Sequence, residues 1–185
     1  MKTVLDVGSN IYDILPDTYQ GWRRITLDID PTCNPDIHMD ARRIAYDWPS
    51  GKDTFDAVFA SHFLEHIYRH EAPTVLAGFL HVLKPGGWAE IHVPNVGLLM
   101  RKAAVLSLDL EDFLYDSDAG PIRVVDVLFG YQKMVQESGQ DWMSHRYAYS
   151  TGTLANLLAE TAFVDLDIKA ANMEVVAIAH KEKPS

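Results

Sequence analysis

Strand-like and helix-like segments alternate along most of this 185-residue chain, and that alternation limits the possible folds more than any other feature of the sequence. Residues 71–83 place apolar side chains at helical spacing and run into Lys-Pro-Gly-Gly, which is typical of a helix end. Alternation of this kind predicts an α/β fold with a mostly parallel sheet and helices on both faces. The predicted strands before and after this helix cover 3–7, 24–29, 36–39, 55–60 and 88–93.

The end of the chain completes the predicted sheet in a different way. Residues 150–163 predict a helix for which Ser150, Thr151 and Thr153 are the candidate N-caps. The two runs that follow, VDLDIKA and EVVAIAHK, are joined by a short connection and are therefore predicted to pair antiparallel. We expect a single domain over 1–185, since a chain of this length suits one core.

Residues 97–145 interrupt the alternation. The segment is long, apolar and rich in aromatic residues, and its pattern predicts a helix, a turn and a second helix. We expect a helical insert that forms a cap or wall. Tyr115, Phe129 and Tyr131 could supply aromatic walls, or they could be ordinary core residues.

The formal net charge of −10 disfavours nucleic acid as a partner, because an acidic surface repels phosphate backbones. Basic residues are scattered, so a small-molecule ligand fits the charge better. No apolar run approaches the roughly 20 residues of a membrane span, and the N-terminal residues predict a strand rather than a signal peptide. The single cysteine, Cys33, excludes an intrachain disulfide, and we expect a cytoplasmic protein.

The first predicted strand runs into LDVGSN at residues 5–10. A glycine at position 8 lets backbone approach a ligand closely, and the Asp6 carboxylate suits a cationic amino group. An ordinary turn at the end of a strand would look the same, so these residues alone leave both interpretations open. No Gly-x-Gly-x-x-Gly opens a helix after Val7, which argues against a nicotinamide-dependent oxidoreductase.

Four later motifs are MDA at 39–41, FDAVFA at 55–60, LEHI at 64–67 and LKPGG at 83–87. Together they resemble the class I S-adenosylmethionine-dependent methyltransferase family, in particular a compact, type 11-like branch of predicted methyltransferases. The similarity covers most of the chain outside 97–145, and its specific part is the combination of LEHI and LKPGG at this spacing. It implies a Rossmann-like methyltransferase sheet of seven strands in the order 3-2-1-4-5-7-6, with an antiparallel last strand.

The same resemblance implies methyl transfer from S-adenosylmethionine to a small-molecule acceptor, at oxygen, nitrogen or an activated carbon, by in-line displacement. S-adenosylhomocysteine would be the product, and the insert at 97–145 would cap the acceptor site. The glycine-poor loop after Val7 supports an alternative. In that alternative, the chain is a non-catalytic scaffold or regulatory domain that binds the cofactor weakly or not at all.

The resemblance places cofactor-binding residues at the ends of the predicted strands. Asp28 ends the second strand and would accept both ribose hydroxyls, with Asp30 as a competitor. Asp40 would accept from the adenine amino group, although it is also a reasonable N-cap for the segment that follows. The full set is Asp6, Gly8, Ser9, Asn10, Asp28, Ile29, Asp40, Ala41, Ala60 and Ser61.

Two histidines are the candidate catalytic residues. His62 follows the fourth strand and is the candidate base if the acceptor must lose a proton. His145 lies beside Trp142, Arg146 and Tyr147, in a region where family members build the acceptor pocket. His92, inside a strand, is interpreted as a core histidine.

No bound metal is expected, but one alternative set of ligands stands out. His62, Glu65 and His66 have the spacing that puts three side chains on one face of a helix. The set resembles the Glu-x-x-Glu-His site of some metal-assisted O-methyltransferases, except that its first position is His. His145 would be a remote fourth ligand.

Overall fold

A seven-stranded sheet forms the centre of the structure, a computed structural model that describes residues 1–9, 14–117 and 120–184. The mostly parallel α/β architecture predicted from the sequence is confirmed. The strands are β1 (Thr3–Val7), β2 (Arg23–Asp28), β3 (Ile37–His38), β4 (Phe55–Ser61), β5 (Leu83–Pro94), β6 (Phe113–Ser117), β7 (Gly120–Arg123), β8 (Phe163–Ala171) and β9 (Glu174–Lys181). β6 and β7 lie outside the main sheet and form a two-stranded sheet of their own.

The main sheet has the order β3-β2-β1-β4-β5-β9-β8. β1 to β5 pair parallel, whereas β9 runs antiparallel to both β5 and β8. The labels of the last two sheet strands differ from the prediction because β6 and β7 come before them in the chain. Counted along the main sheet alone, the order is the expected 3-2-1-4-5-7-6.

In the described part of the chain, six α-helices accompany the strands: α1 (Ile44–Asp47), α2 (Ala72–Val82), α3 (Val96–Leu106), α4 (Val124–Phe129), α5 (Gln132–Ser138) and α6 (Thr151–Ala159). α2 and α6 bury apolar residues such as Phe79 and Leu157 in one large core on a face of the sheet. On the opposite face, Tyr19 from a 3-10 turn packs in a smaller core with Phe59. Within the described residues, no helix is long and apolar enough to cross a bilayer.

The start of α6 follows from local sequence. Ser150 is the N-cap: its Oγ accepts a hydrogen bond from the Thr153 backbone nitrogen at 3.2 Å. In return, the Ser150 backbone nitrogen donates to Thr153 Oγ1 at 2.7 Å. These reciprocal bonds satisfy two backbone groups that the first helical turn leaves open. Of the three candidate N-caps, the structure therefore selects Ser150.

The insert at 97–145 is less helical than predicted. β6 and β7 pair as an antiparallel hairpin at positions where the pattern suggested helix, so that part of the prediction was wrong. Leu114 and Ile122 point inward from the two strands and are buried with Val96, Leu99 and Val127 in a small separate core. In each strand one buried residue lies between more exposed neighbours, which is the pattern of a strand. The sequence did not reveal this alternation because the whole segment is apolar.

The boundary between α2 and β5 also differs from the prediction. β5 begins at Leu83 rather than at 88, so Lys-Pro-Gly-Gly belongs to the strand. Gly86 has a φ of +76°, and a Cβ on Gly87 would lie 2.7 Å from the Asp56 carbonyl oxygen. The pairing of β4 with β5 shifts register beside these glycines. Glycine is thus required for a strand irregularity here, as well as for leaving the helix.

Lys181 closes the carboxyl end of α2, and its removal should destabilise the fold. Its Nζ donates to the carbonyl oxygens of Leu80 and Leu83 at 2.7 and 2.6 Å and to Asp53 Oδ1 at 2.6 Å. We expect Lys181→Met to lower the free energy of unfolding by about 2 kcal/mol, measured by urea unfolding. The control is Lys169→Met, which removes an exposed ion pair with Asp167 and should lower the free energy of unfolding by less than about 0.5 kcal/mol. Equal losses in the two variants would contradict this role.

Candidate active site

A cavity of about 790 Å³ opens at the carboxyl ends of β1, β2 and β4. This edge of a parallel sheet, where the strand order reverses beside β1, is the usual ligand site of open α/β folds. The cavity is lined by most of the residues predicted to bind a cofactor, together with His62. These are Asp6, Gly8, Asp28, Ile29, Asp40, Ala41 and Ser61.

The loop after β1 is built around Gly8. Its φ is +72°, its backbone nitrogen donates to the Leu27 carbonyl oxygen at 2.9 Å, and an added Cβ would lie 2.5 Å from Phe63 Cδ2. Asp6 is buried and forms an ion pair with Arg24 at 2.6 Å, and Arg24 also donates to the Ser9 hydroxyl. Asp6 and Ser9 therefore fix the loop through Arg24, and Ser9 does not line the cavity. The predicted contact at Asn10 lies outside the described residues.

The structure distinguishes the two carboxylates at the end of β2. Asp30 caps the following 3-10 turn, because its Oδ1 accepts from the backbone nitrogen and the hydroxyl of Thr32 at 2.8 and 2.7 Å. Asp28 accepts from the Asp30 backbone nitrogen at 2.7 Å, and both residues line the cavity, but the Asp30 carboxylate is engaged by the turn. Burial raises the pKa of the Asp28 carboxyl, as expected for a group held against apolar surroundings. Asp28 is thus the better placed of the two to meet a ligand.

Asp40 has a structural task as well as a place in the cavity wall. Its Oδ1 accepts from the Arg42 backbone nitrogen at 2.9 Å, which confirms the predicted N-cap. The Arg42 guanidinium contacts both Asp40 oxygens and reaches Glu71 at 2.7 Å. Burial opposes ionisation of Asp40, but Arg42 holds its pKa below the ordinary value. The carboxylate therefore stays charged and can accept a hydrogen bond.

The end of β4 delivers a cation to the cavity. Ala60 is fully buried and does not line the cavity, whereas Ser61 and His62 do. His62 has a φ of +49°, and its Nε2 lies 2.7 Å from Glu174 Oε1 while its Nδ1 lies 3.4 Å from Glu65 Oε1. Burial would lower the pKa of His62, but the two carboxylates raise it to about 10. At neutral pH this arrangement makes His62 a hydrogen-bond donor, so its predicted role as a base requires these contacts to change.

A model of a methyltransferase domain family matches residues 1–176, which is nearly the whole chain. The chain belongs to this methyltransferase family. No curated protein sequence matches it.

Solved structures share the fold of this methyltransferase domain. A SAM-dependent methyltransferase from Methanosarcina mazei has a TM-score of 0.60 at 16% identity, with 98% of this chain and 93% of that chain covered. A 1,6-didemethyltoxoflavin-N1-methyltransferase from Burkholderia thailandensis, with bound 1,6-didemethyltoxoflavin and S-adenosylhomocysteine, has a TM-score of 0.53 at 20% identity, covering 98% and 71%. A possible exported protein from Bordetella parapertussis has a TM-score of 0.56 at 12% identity, and 97% of this chain is covered. This chain spans only 61% of the length of that protein.

The three metal ligands suggested by sequence spacing, His62, Glu65 and His66, do not lie on one face of a helix. Residues Leu64–His66 form a 3-10 turn instead of a helix, so His62 does not share a helix face with Glu65 and His66. The structure instead brings Glu65, His66 and His145 together, with one possible ligand atom of each within 4.8 Å of the others. His145, the second predicted catalytic residue, is behind the cavity wall rather than on it. Burial lowers the pKa of His145, so its imidazole is neutral at pH 7.

The end of the insert forms one wall of the cavity in the methyltransferase domain. Trp142, Met143 and Arg146 line it together with Met134 of α5. The Arg146 guanidinium lies 4.8 Å from the centre of the Tyr68 ring, a cation–π contact. The aromatic residues considered as walls are elsewhere: Tyr115 and Tyr131 pack on the small core of the insert, and Phe129 is exposed.

Several residues that hold the site were missed by sequence reasoning. Arg24 pairs with Asp6, Glu71 pairs with Arg42, and Glu174 pairs with His62. Each pair joins residues from distant parts of the chain, and no local spacing signals such a contact. Arg24 had one usable signal, since it lies on β2 next to the strand that carries Asp6.

A chain of side chains continues from His62 across the sheet and gives a pH-dependent prediction. His92 lies 3.0 Å from Glu90 and 3.7 Å from Glu174, and Tyr19 donates to Glu90 at 2.8 Å. His92 lies inside β5 and its polar contacts are satisfied, but it is partly buried rather than part of the apolar core. Burial alone would lower the pKa of His92, but the two carboxylates raise it to about 9.

Because the folded pKa of His92 exceeds the unfolded value of about 6.5, its contribution to stability is complete below pH 6.5 and is lost as pH rises through 9. We expect the wild type to lose on the order of 2 kcal/mol more than His92→Gln between pH 6.5 and pH 9.5. Urea unfolding of both proteins at the two pH values measures this. Parallel losses would show that His92 is not the titrating group.

Proposed function

We propose that this chain is an S-adenosylmethionine-dependent methyltransferase that acts on a small-molecule acceptor. The observation that carries the proposal is the cavity at the carboxyl ends of β1, β2 and β4, where Asp28 and Asp40 face the same space as Gly8. Membership of the methyltransferase family supports the activity, and the named relatives support the choice of cofactor.

The residues present fit this cofactor. Asp28 would hold the ribose hydroxyls, and Asp40 with the backbone of Ala41 would hold the adenine. Gly8 brings backbone without a side chain to the cavity, and Ser61 lies across from it at the end of β4. The cofactor, when bound, supplies a methyl group on a sulfonium that is already activated for displacement.

The chain's own contribution is then mainly positioning and exclusion of water. Met134, Trp142 and Met143 give the cavity an apolar wall against which an acceptor can pack. His62 would supply a positive charge beside the acceptor, because Glu174 and Glu65 keep it protonated at neutral pH. His145 stays a candidate catalytic residue, and it needs a movement of the wall to reach an acceptor.

A small acceptor suits both the cavity and the charge of the chain. The volume of about 790 Å³ lies within the range of small-ligand pockets. A net charge of −10 opposes a nucleic-acid substrate, because an acidic surface repels phosphate groups.

One observation favours the second candidate function, a non-catalytic domain with weak cofactor binding. Asp6 is already paired with Arg24, so its charge is not available to a cationic amino group without rearrangement. Isothermal titration calorimetry with S-adenosylhomocysteine separates the two functions. Saturable heat and a raised melting temperature support the enzyme, whereas no heat and no thermal shift would contradict it.

A further inference from the structure

The carboxylate of Glu65 is buried and forms an ion pair with His62, but it has no hydrogen bond among the described residues. Glu65 is 1% exposed, and neither side-chain oxygen has a hydrogen-bond partner within the described part of the chain. His62 Nδ1 lies 3.4 Å and His145 Nε2 lies 4.0 Å from its Oε1. A buried carboxylate without hydrogen bonds is costly, and a bound ion is one physical explanation for such a group.

Two imidazoles lie near this carboxylate, and a backbone carbonyl oxygen holds the Nδ1 of each. His66 Nδ1 lies 3.2 Å from the Ser144 carbonyl oxygen, and His145 Nδ1 lies 3.0 Å from the Val127 carbonyl oxygen. A carbonyl oxygen can only accept, so both Nδ1 atoms carry the proton. Nε2 is then the nitrogen that each ring has left to bind a metal. A backbone carbonyl behind the far nitrogen is the usual support for a metal-binding histidine.

The backbone holds these three side chains together from both sides. The Glu65 carbonyl oxygen accepts from the backbone nitrogens of Arg146 and Tyr147 at 2.7 and 3.1 Å. The His145 backbone nitrogen donates to the Phe129 carbonyl oxygen at 3.1 Å. The end of the insert is therefore fastened to the 3-10 turn that carries Glu65 and His66, so the donor groups converge without any ion.

We propose that Glu65, His66 and His145 bind one divalent transition-metal ion. Their donor atoms lie within 4.8 Å of one another. If these separations shortened by about 1 Å, each donor atom could lie about 2.0–2.2 Å from a central ion, which is the bond length that such ions take. Two imidazoles with one carboxylate favour ions such as Zn²⁺, Fe²⁺ or Co²⁺ over the hard ions Mg²⁺ and Ca²⁺.

The site has a route for an ion to reach it, since His66 also lines the cavity. The proposal departs from the expectation that the chain holds no metal, and its ligands differ from the set with His62. His62 contacts Glu174 through Nε2, and His145 of the insert takes its place in the proposed set of ligands. The proposal also goes beyond the proposed function, because an ion can be bound without cofactor or acceptor.

The test uses the full chain, stripped of metal by a chelator and dialysed against Co²⁺, with bound metal measured by plasma mass spectrometry and visible absorption. We expect one Co²⁺ per chain with the absorption of a histidine-ligated site, displaced by Zn²⁺, and a raised melting temperature. Glu65→Gln and His145→Gln should each weaken binding more than about 100-fold, because each removes a direct ligand. The control is His92→Gln, which removes a partly buried histidine outside the cluster and should keep one ion.

Three outcomes would overturn the proposal. The wild type could bind no Co²⁺ or Zn²⁺ at micromolar concentrations, or His92→Gln could lose the ion as completely as Glu65→Gln. Binding could also persist in both Glu65→Gln and His145→Gln. Circular dichroism of each variant shows whether it is folded, and the two ligand variants lie in different segments, so a folding failure of one leaves the other as the test. Because no cofactor is present, the result is independent of S-adenosylhomocysteine binding.

Discussion

Replacing Asp28 by Ala should weaken the binding of S-adenosylhomocysteine about 100-fold. Asp28 ends β2, lines the cavity and can offer its carboxylate oxygens to a pair of ribose hydroxyls. Hydrogen bonds to a charged group contribute about 1.5–3 kcal/mol each, so the loss of two corresponds to a factor of roughly 100 or more. Isothermal titration calorimetry of the wild type and the variant measures the ratio of dissociation constants.

Two further variants sharpen this test. Asp28→Asn retains an oxygen that can accept from the Asp30 backbone nitrogen, but it removes the charge, so it should also bind weakly. Asp30→Ala is the matched control, because this neighbouring carboxylate serves the turn at Thr32 and should change binding by less than about fivefold. If both Asp28 variants bind like the wild type, the ribose lies elsewhere and the placement of the cofactor is wrong.

The fold was predictable because its signals are local and repeated. Each buried strand of the main sheet has an apolar run with turn residues beside it, and α2 has apolar residues at helical spacing. The hairpin of the insert was missed because its alternation extends over few residues. Leu114 and Ile122 are its two buried side chains, and the neighbouring apolar residue Phe113 is exposed. Periodicity cannot separate strand from helix over so short a stretch.

The candidate site was predictable only in part, for a different reason. Asp28, Asp40 and Gly8 could be located because each directly follows or ends a strand, and parallel strands bring such residues to one edge. The partners of those residues could not be located, since Arg24, Glu71 and Glu174 come from other segments. Their contacts depend on how the elements pack. The same holds for Glu65 and His145, which meet only because the insert returns to the turn after β4.

The packing of the insert against that turn gives the site its common support. The Glu65 carbonyl oxygen receives two backbone hydrogen bonds from the end of the insert, and Arg146 from the same segment contacts Tyr68. Phe63, just before the turn, lies against Gly8 on the other side. Contacts therefore connect the loop after β1, the turn after β4 and the cavity wall. A substitution at Gly8 should change both the stability of the fold and the affinity for a ligand.

Replacing Gly8 by Ala should lower the free energy of unfolding by about 3 kcal/mol and weaken S-adenosylhomocysteine binding at least about tenfold. Two costs add. The φ of +72° is unfavourable for any residue with a Cβ, by about 1–2 kcal/mol. The new methyl would lie 2.5 Å from Phe63 Cδ2 and 2.9 Å from Phe63 Cβ, so ring rotation alone cannot relieve the clash and the backbone must move.

Gly51→Ala separates these two costs. Gly51 has a φ of +74°, nearly that of Gly8, but an added Cβ there would meet nothing within 4 Å. The control should lose only about 1 kcal/mol in urea unfolding and should bind S-adenosylhomocysteine normally. The difference between the two variants then measures the contact with Phe63. Equal losses of stability would mean that Phe63 yields freely and that the loop after β1 is not held by the turn after β4. In that case the glycine serves the backbone conformation alone, and cofactor binding should survive the substitution.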